Sequence, residues 1–531
     1  MAYVLPCVFS QKRCPLLIHF DICSVCNLDI FLQILYNIVY SYLTERIHPM
    51  KKQLALLLTL LLLAPTMASC GDSAEETTAE TTPADTAAEE TETELSDDIP
   101  EMDFGGESFT FLTSDVGHTQ HAITVIQEQT GDVLNDAMYN RTIATAEKYN
   151  IVFNADEVTP DSASATNAVK NAVQAGDPAY DITMLRDRDA FAMTHQNFFT
   201  DIASLPHVNL EKPYWLSGVN EVINFSDSKF LTYGSMVLSL YDMTHVLLFN
   251  KNMITDLGLQ SPYDLVMEDT WTMDVFAEMG NTAKQDADGD GAWGENDIYG
   301  VVGATNGLPM NFLASSKHRT ITTDGQGGVS IMLLEDPKIE EIFTNMCDIF
   351  WDTGFWYTKS TDANNYWRTE TFFQTDQALF ADHTFFSTMQ LRDMESDFGI
   401  VPFPKYDESR EGYGVMVEGG IRAMTVPATN NKPEITGAVM ETMNFLSWRD
   451  VMPAYYETTL KQKVSRDDIS SRMLDLIMDS IYYDLGATMF CSQIKDGIFT
   501  NLFGSNSRTF VSKVTSQISV IEKAITAARG E

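Results

Sequence analysis

From Ser108 onward the apolar residues recur in two rhythms. Ser108–Leu112 reads SFTFL, a period of two that predicts a half-buried strand. Leu134, Ala137 and Met138 open a period near 3.6 that predicts a helix ending at Tyr149-Asn150. Ile151–Phe153 predicts a second strand, Ala163–Ala175 a second helix halted by Gly176-Asp177-Pro178, and Asp181–Leu185 a third strand. Strand and helix in strict alternation predict a parallel sheet wrapped by helices. Such sheets collect ligands at the carboxyl ends of their strands. Arg186, Asp187 and Arg188 sit just past one such end, so they are either cleft residues or a solvated charged loop.

Further on, the run Val246–Phe249 predicts a strand closing on Asn250-Lys251. A short helical stretch stops at Gly258, Pro262 makes a turn, and Trp271-Thr272 opens another helix with Thr272 as its N-cap. An acidic, glycine-broken loop, Asp286–Asp297, follows. Ile339–Phe350 and Ile518–Ala528 have helical periods, and the aromatic run Trp351, Phe355, Trp356, Tyr357, Tyr366 and Trp367 fits a core better than a sugar platform.

At 531 residues the chain exceeds one ordinary domain. Its net charge of −41 excludes nucleic acid as a partner, since neutralising phosphates needs clustered Lys and Arg. Much of that charge is local: thirteen Asp and Glu and no Lys or Arg lie between Gly71 and Gly105. Such a segment lacks the apolar area to offset its ordering entropy, so residues 71–102 read as an extended acidic linker. Five of the seven Cys stand at or before position 70, leaving Cys347 and Cys491, which are too few for a disulfide framework and are read as two buried thiols, with a single pair between them the alternative. Met50-Lys51-Lys52 and the apolar Leu54–Ala64 lead to Met67-Ala68-Ser69-Cys70, which resembles the lipobox of bacterial lipoproteins, so residues 50–69 are expected to be a lipoprotein signal with Cys70 as the lipidated residue, a plain secretory signal being the alternative. Residues 1–49 are unlike the rest and read as a mistaken upstream start, because Glu45-Arg46 can be encoded as a purine-rich ribosome-binding sequence shortly before Met50.

The order Asn250-Lys251, Gly258-Leu259, Pro262, Trp271-Thr272, the Asp/Gly loop and Tyr299-Gly300 resembles the extracellular solute-binding proteins of sugar-type ABC importers. Asp397–Asp407, DFGIVPFPKYD, is similar to a signature of the same family, and the resemblance covers about 103–531. It implies an α/β, periplasmic-binding-protein type II fold, with two α/β lobes joined by a multi-segment hinge. Lobe 1 would hold residues 103–236 and 419–453, and lobe 2 residues 237–418 and 454–531. The chain would cross between them at Tyr241–Thr244, at Tyr413–Glu418 and near Pro453–Thr459. The family further implies a monomer that carries a sugar or oligosaccharide to ABC permease subunits on the outer face of the membrane.

Sugar binding needs flat apolar faces for stacking and a few planar polar groups for hydroxyls. The candidates are Asp187, Trp215, Asp242, His383, Phe385, Phe386, Glu418 and Arg422. Asp286–Asp297 fits a calcium loop: Asp286, Asp288 and Asp290 supply carboxylates at alternate positions, Gly291 permits the sharp turn, Ala292 offers its carbonyl and Asp297 closes the loop. Asp in place of Glu at the closing position shortens the arm and weakens the site, and the ion would be structural. A Gly-x-Ser-x-Gly elbow, a His-Glu-x-x-His helix and a phosphate-cradling Gly-Lys-Ser/Thr loop are all absent from the sequence, so no enzyme is expected. Paired carboxylates still leave a surface carbohydrate-active enzyme as an alternative, and a binder of peptides or other small solutes on the same fold is another.

Overall fold

The computed structural model describes residues 96–115, 124–154, 157–159, 161–224, 228–324, 328–357, 371–388, 391, 393–457 and 468–530. The expected upstream segment, the signal sequence, Cys70, most of the acidic linker, Tyr366 and Trp367 lie outside the described residues.

The predicted first strand is split in two. β1 (Glu107–Phe109) and β2 (Phe111–Ser114) part at Thr110, whose N–H donates to the Asp181 carboxylate at 2.8 Å and whose carbonyl accepts from the Asp181 N–H at 2.9 Å. The side chain of Asp181 thus takes a backbone donor out of the ladder, and the chain changes partners there. β1 pairs with β3 (Ile151–Phe153), while β2 is flanked in parallel by β4 (Glu157–Thr159) and β5 (Ile182–Arg186). The intervening helices begin and end where the sequence predicts. Asp132 accepts the Asn135 N–H at 2.9 Å and Asn150 closes the helix Val133–Tyr149 in the left-handed region at φ 46°. Asp161 and Gly176 do the same for Ser162–Ala175.

The second sheet is built later in the chain. It comprises β6 (His245–Asn250), β7 (Tyr299–Val302), β10 (Trp356–Tyr357), β11 (Ala378–Thr384) and β12 (Phe398–Val401) in the order β10-β7-β11-β6-β12, while β8 (Ile321–Thr323) and β9 (Val329–Ile331) form a separate antiparallel pair. β6 runs against β11 and β12, and β7 runs with β10 and β11. Its core is aromatic: Phe276 meets Phe380 at 5.0 Å and Phe312 at 5.8 Å, and the buried Trp271 donates its indole N–H to the Pro402 carbonyl at 3.0 Å. Phe355, Trp356 and Tyr357 are buried in this lobe as the core reading expects.

β13 (Val415–Met416) leads out of the second lobe and β14 (Arg422–Thr425) joins the first sheet antiparallel to β5, giving β14-β5-β2-β4; β15 (Ile481–Tyr482) pairs with β13. The outgoing and returning chains run side by side. Thr232 and Met424 exchange both backbone bonds at 3.0 Å, Thr244 bridges to Val417, and the Glu418 N–H donates to the Met243 carbonyl at 3.0 Å. The first two crossings are therefore one hydrogen-bonded ribbon. After Tyr455, which belongs to lobe 1, the chain is next described in the helix Asp468–Asp479, packed on β12 and the helix Pro262–Met267 of lobe 2. The described residues stop at Glu457 and resume at 468, so part of the expected crossing near Pro453–Thr459 lies outside them.

Asp97 binds Lys148 at 2.6 Å and Ile99 is buried, so the globule takes up the chain before the expected Asp103. Among the described residues no helix is long and apolar enough to cross a membrane.

Candidate functional site

Carboxyl ends of strands from both sheets meet at the crossing ribbon. On the lobe 1 side, β5 delivers Asp187 into full burial. One carboxylate oxygen accepts the backbone N–H groups of Arg188 at 2.7 Å and Gly420 at 2.9 Å; the other accepts the hydroxyls of Tyr483 at 3.2 Å and Tyr233 at 3.4 Å. Burial raises the Asp187 pKa, against the pull of Arg188 and these donors. Arg186 turns the other way and forks onto Asp189 at 2.8 and 2.9 Å.

On the lobe 2 side, β6 begins with His245, opposite Thr384 of β11. Its Nδ1 lies 3.1 Å from Asp382 and 3.2 Å from the Asn311 side-chain nitrogen, and its Nε2 lies 3.5 Å from Glu418. Glu418 also takes Lys495 Nζ at 2.5 Å. Burial opposes charge on His245, yet Asp382 and Glu418 outweigh it and carry the pKa up to about 9. Burial likewise opposes charge on Glu418, but Lys495 and His245 hold its pKa down at about 2. The site is a run of alternating charges, Asp382, His245, Glu418 and Lys495, laid across the ribbon between the lobes.

No protein-family model and no curated protein matches the sequence. Solved structures match in shape. The extracellular solute-binding protein of Staphylococcus aureus, in complex with maltose, superposes with TM-score 0.54 at 11% identity, over 78% of this chain and 98% of its own. A cyclo/maltodextrin-binding protein complexed with maltotetraose gives 0.53 at 12% identity over 79% and 97%. A sugar transporter from Rhizobium etli in an open conformation gives 0.53 at 12% identity over 80% and 100%. This chain has the type II periplasmic-binding-protein fold.

In this fold the predicted residues fall into two groups. Asp187, Asp242, His383, Phe385, Phe386, Glu418 and Arg422 line the strand ends and crossings. Asp242 accepts the Tyr455 hydroxyl at 3.1 Å in the crossing helix Leu238–Asp242. His383 is buried on β11, and burial lowers its pKa to about 4. Phe385 is buried with its N–H on the Thr244 carbonyl at 3.1 Å, and Phe386 beside it is half-buried. Arg422 opens β14, pairs in register with Arg186, and donates from Nε to the Ser114 carbonyl at 2.8 Å. Trp215 is placed apart: it lies in the lobe 1 core, its indole N–H on Glu441 at 2.9 Å beside the Tyr214 hydroxyl at 2.6 Å. Sequence reasoning passed over His245, Asn311, Tyr233, Tyr483 and Lys495; the available signal was His245 standing as a polar residue at the mouth of an apolar strand.

The acidic loop lies at the other end of lobe 2, before β7. Carboxylate oxygens of Asp286, Asp288 and Asp290 lie within 4.8 Å of one another, and Gly291 has φ 79°. Asp286 accepts the N–H groups of Gly289 and Gly291 at 2.8 and 2.9 Å. Asp297 is fully buried and accepts those of Ala287 at 3.0 Å and Gly294 at 2.6 Å, and the Ala292 carbonyl is carried on the exposed part of the turn. The three clustered carboxylates suit a hard divalent cation, whereas Asp297, expected to close the loop, is not gathered with them and spends both oxygens on backbone N–H groups.

Proposed function

We propose that this chain is the extracytoplasmic substrate-binding component of an ABC importer, capturing a sugar or oligosaccharide between its lobes and passing it to the permease. The observation that carries the reading is the convergence of two sheets on one polar seam, joined by a paired crossing at Glu418-Gly419-Gly420. Solved structures of this fold holding maltose and maltotetraose support a sugar as cargo. Lobe closure follows if the solute has higher affinity for the closed state, because it shifts the equilibrium only by that difference. The chain holds its cargo without making or breaking bonds. Cys70 carries the lipid that keeps it at the outer face of the membrane, and calcium in Asp286–Asp297 is structural.

The test is a thermal-shift series on the purified protein with maltose, maltotetraose and peptides, followed by chromatography of the added sugar. A sugar that raises the midpoint and is recovered intact supports the reading. A response to peptides alone defeats the sugar assignment, and release of shorter sugars defeats the assignment as a binder.

A further inference from the structure

The stretch from Ile481 to Phe503 lies along both lobes as a strap. It starts as β15 beside β13, at the second crossing. Phe490 meets Phe191 of lobe 1 edge-on at 5.7 Å, and Phe499 meets Phe343 of lobe 2 at 5.7 Å. The Trp351 indole donates to the Phe503 carbonyl at 3.0 Å. Two polar side chains of the strap land on either side of the hinge glycines. Tyr483 reaches Asp187, which holds the Gly420 N–H, and Lys495 reaches Glu418, whose own N–H is in the crossing ribbon.

The glycines between them have no room. A Cβ on Gly419 would lie 2.9 Å from Thr488 Cα of the strap and 3.1 Å from the Arg188 guanidinium, and Gly420 adopts φ 97°. The hinge backbone is thus clasped between lobe 1 and the strap, with a buried ion pair on its lobe 2 side. Lys495 has only 6% of its side chain exposed and Glu418 17%.

We propose that Lys495 and Glu418, backed by His245, form a charge latch through which the carboxyl-terminal strap fastens the hinge, so that lobe opening is controlled by the charge state of this cluster. Each member faces several charges. Glu418 meets Lys495 of the strap, His245 of β6 and Arg188 of lobe 1. Lys495 meets Glu418, Asp496 and Cys491, and His245 meets Asp382, His383 and Glu418. Removing one partner of a buried pair leaves the other uncompensated, and here the stranded group sits on the hinge itself. The loss therefore loosens the crossing ribbon and the strap before it reaches either sheet. At neutral pH His245 is a second cation on Glu418, and it is lost above about 9.

Hydrogen exchange read by mass spectrometry on the full chain tests this, and it needs no solute, so its outcome is independent of the cargo. At pH about 7, Lys495→Met and Glu418→Gln are expected to speed exchange at least tenfold in peptides covering 415–421 and 481–496, with β5 and β11 unchanged. Lys495→Arg is expected to keep most of the protection. Unchanged hinge peptides overturn the proposal, as does an equal loss in β5 and β11, which would make the pair a support of the whole fold. Should the neutral variants fail to fold, the wild type decides. Its hinge peptides, normalised to β5 and β11, are expected to lose protection as pH rises through about 9, and His245→Gln is expected to abolish that step. A constant ratio across the pH range overturns the latch.

Discussion

Three titrating side chains at the seam set opposite limits on stability. His245 has a folded pKa of about 9 against an ordinary value of 6.5. It therefore adds stability that is full below 6.5 and is lost as pH rises through about 9. Glu418, held at about 2 against an ordinary 4.5, adds stability that is full above 4.5 and is lost as pH falls through about 2. His383, kept neutral by burial with a pKa of about 4, acts in the same direction, its contribution draining away as pH falls from 6.5 toward 4. Urea midpoints measured from pH about 6 to 10 are expected to fall on the alkaline side in the wild type and to stay flatter in His245→Gln. Equal alkaline slopes in the two proteins would remove His245 from this account. None of these roles is visible in sequence. A lone His before VLLF and a lone Glu before Gly-Gly carry no sign of each other when 172 residues of chain, from His245 to Glu418, lie between them.

Elements were legible where a local rule decides them. Asn250 closes β6 and at the same time accepts the Met253 N–H at 3.0 Å, capping the helix Lys251–Asp256, so the Asn-Lys pair marks a strand end and a helix start in one step. Thr272 caps the helix Met273–Ala283 as its position before the apolar run predicts. Asn250→Ala is expected to cost about 1–2 kcal/mol in equilibrium denaturation, since the cap bond is lost and the Asp376 carboxylate keeps the Ser396 hydroxyl but loses the Asn250 amide. The Asp286–Asp297 loop is equally local. If it takes calcium, the ion stabilises the native state by mass action, about 2.7 kcal/mol at a hundredfold excess over Kd. Calcium is then expected to raise the melting midpoint, EDTA to lower it, and Asp290→Ala to abolish both responses. A midpoint indifferent to calcium and EDTA would leave the loop as an ion-free acidic turn. The split of SFTFL at Thr110 was not legible, because the interrupting carboxylate comes from Asp181.

For the whole molecule, the proposed capture of a solute between two lobes has compaction as its signature. Small-angle scattering is expected to show a smaller radius of gyration with a saturating sugar than without it. A radius that stays constant while the melting midpoint rises would mean binding without hinge closure. The latch adds a second expectation at this scale, that the unliganded molecule is more open in Glu418→Gln than in the wild type.

The sequence alone determined what depends on near neighbours: strand and helix periods, the helix ends at Asn150 and Gly176 and the cap at Thr272, the parallel start of the first sheet, and the order of motifs that resembles sugar-type solute-binding proteins. Tertiary structure decided which polar groups share a low-dielectric seam. It set Trp215 on Glu441 in the core of lobe 1, and it brought Tyr483 to Asp187 and Lys495 to Glu418 across the hinge. The reason is physical. A buried charge must find its partners in space, and partners supplied by separate elements leave no periodic trace along the chain.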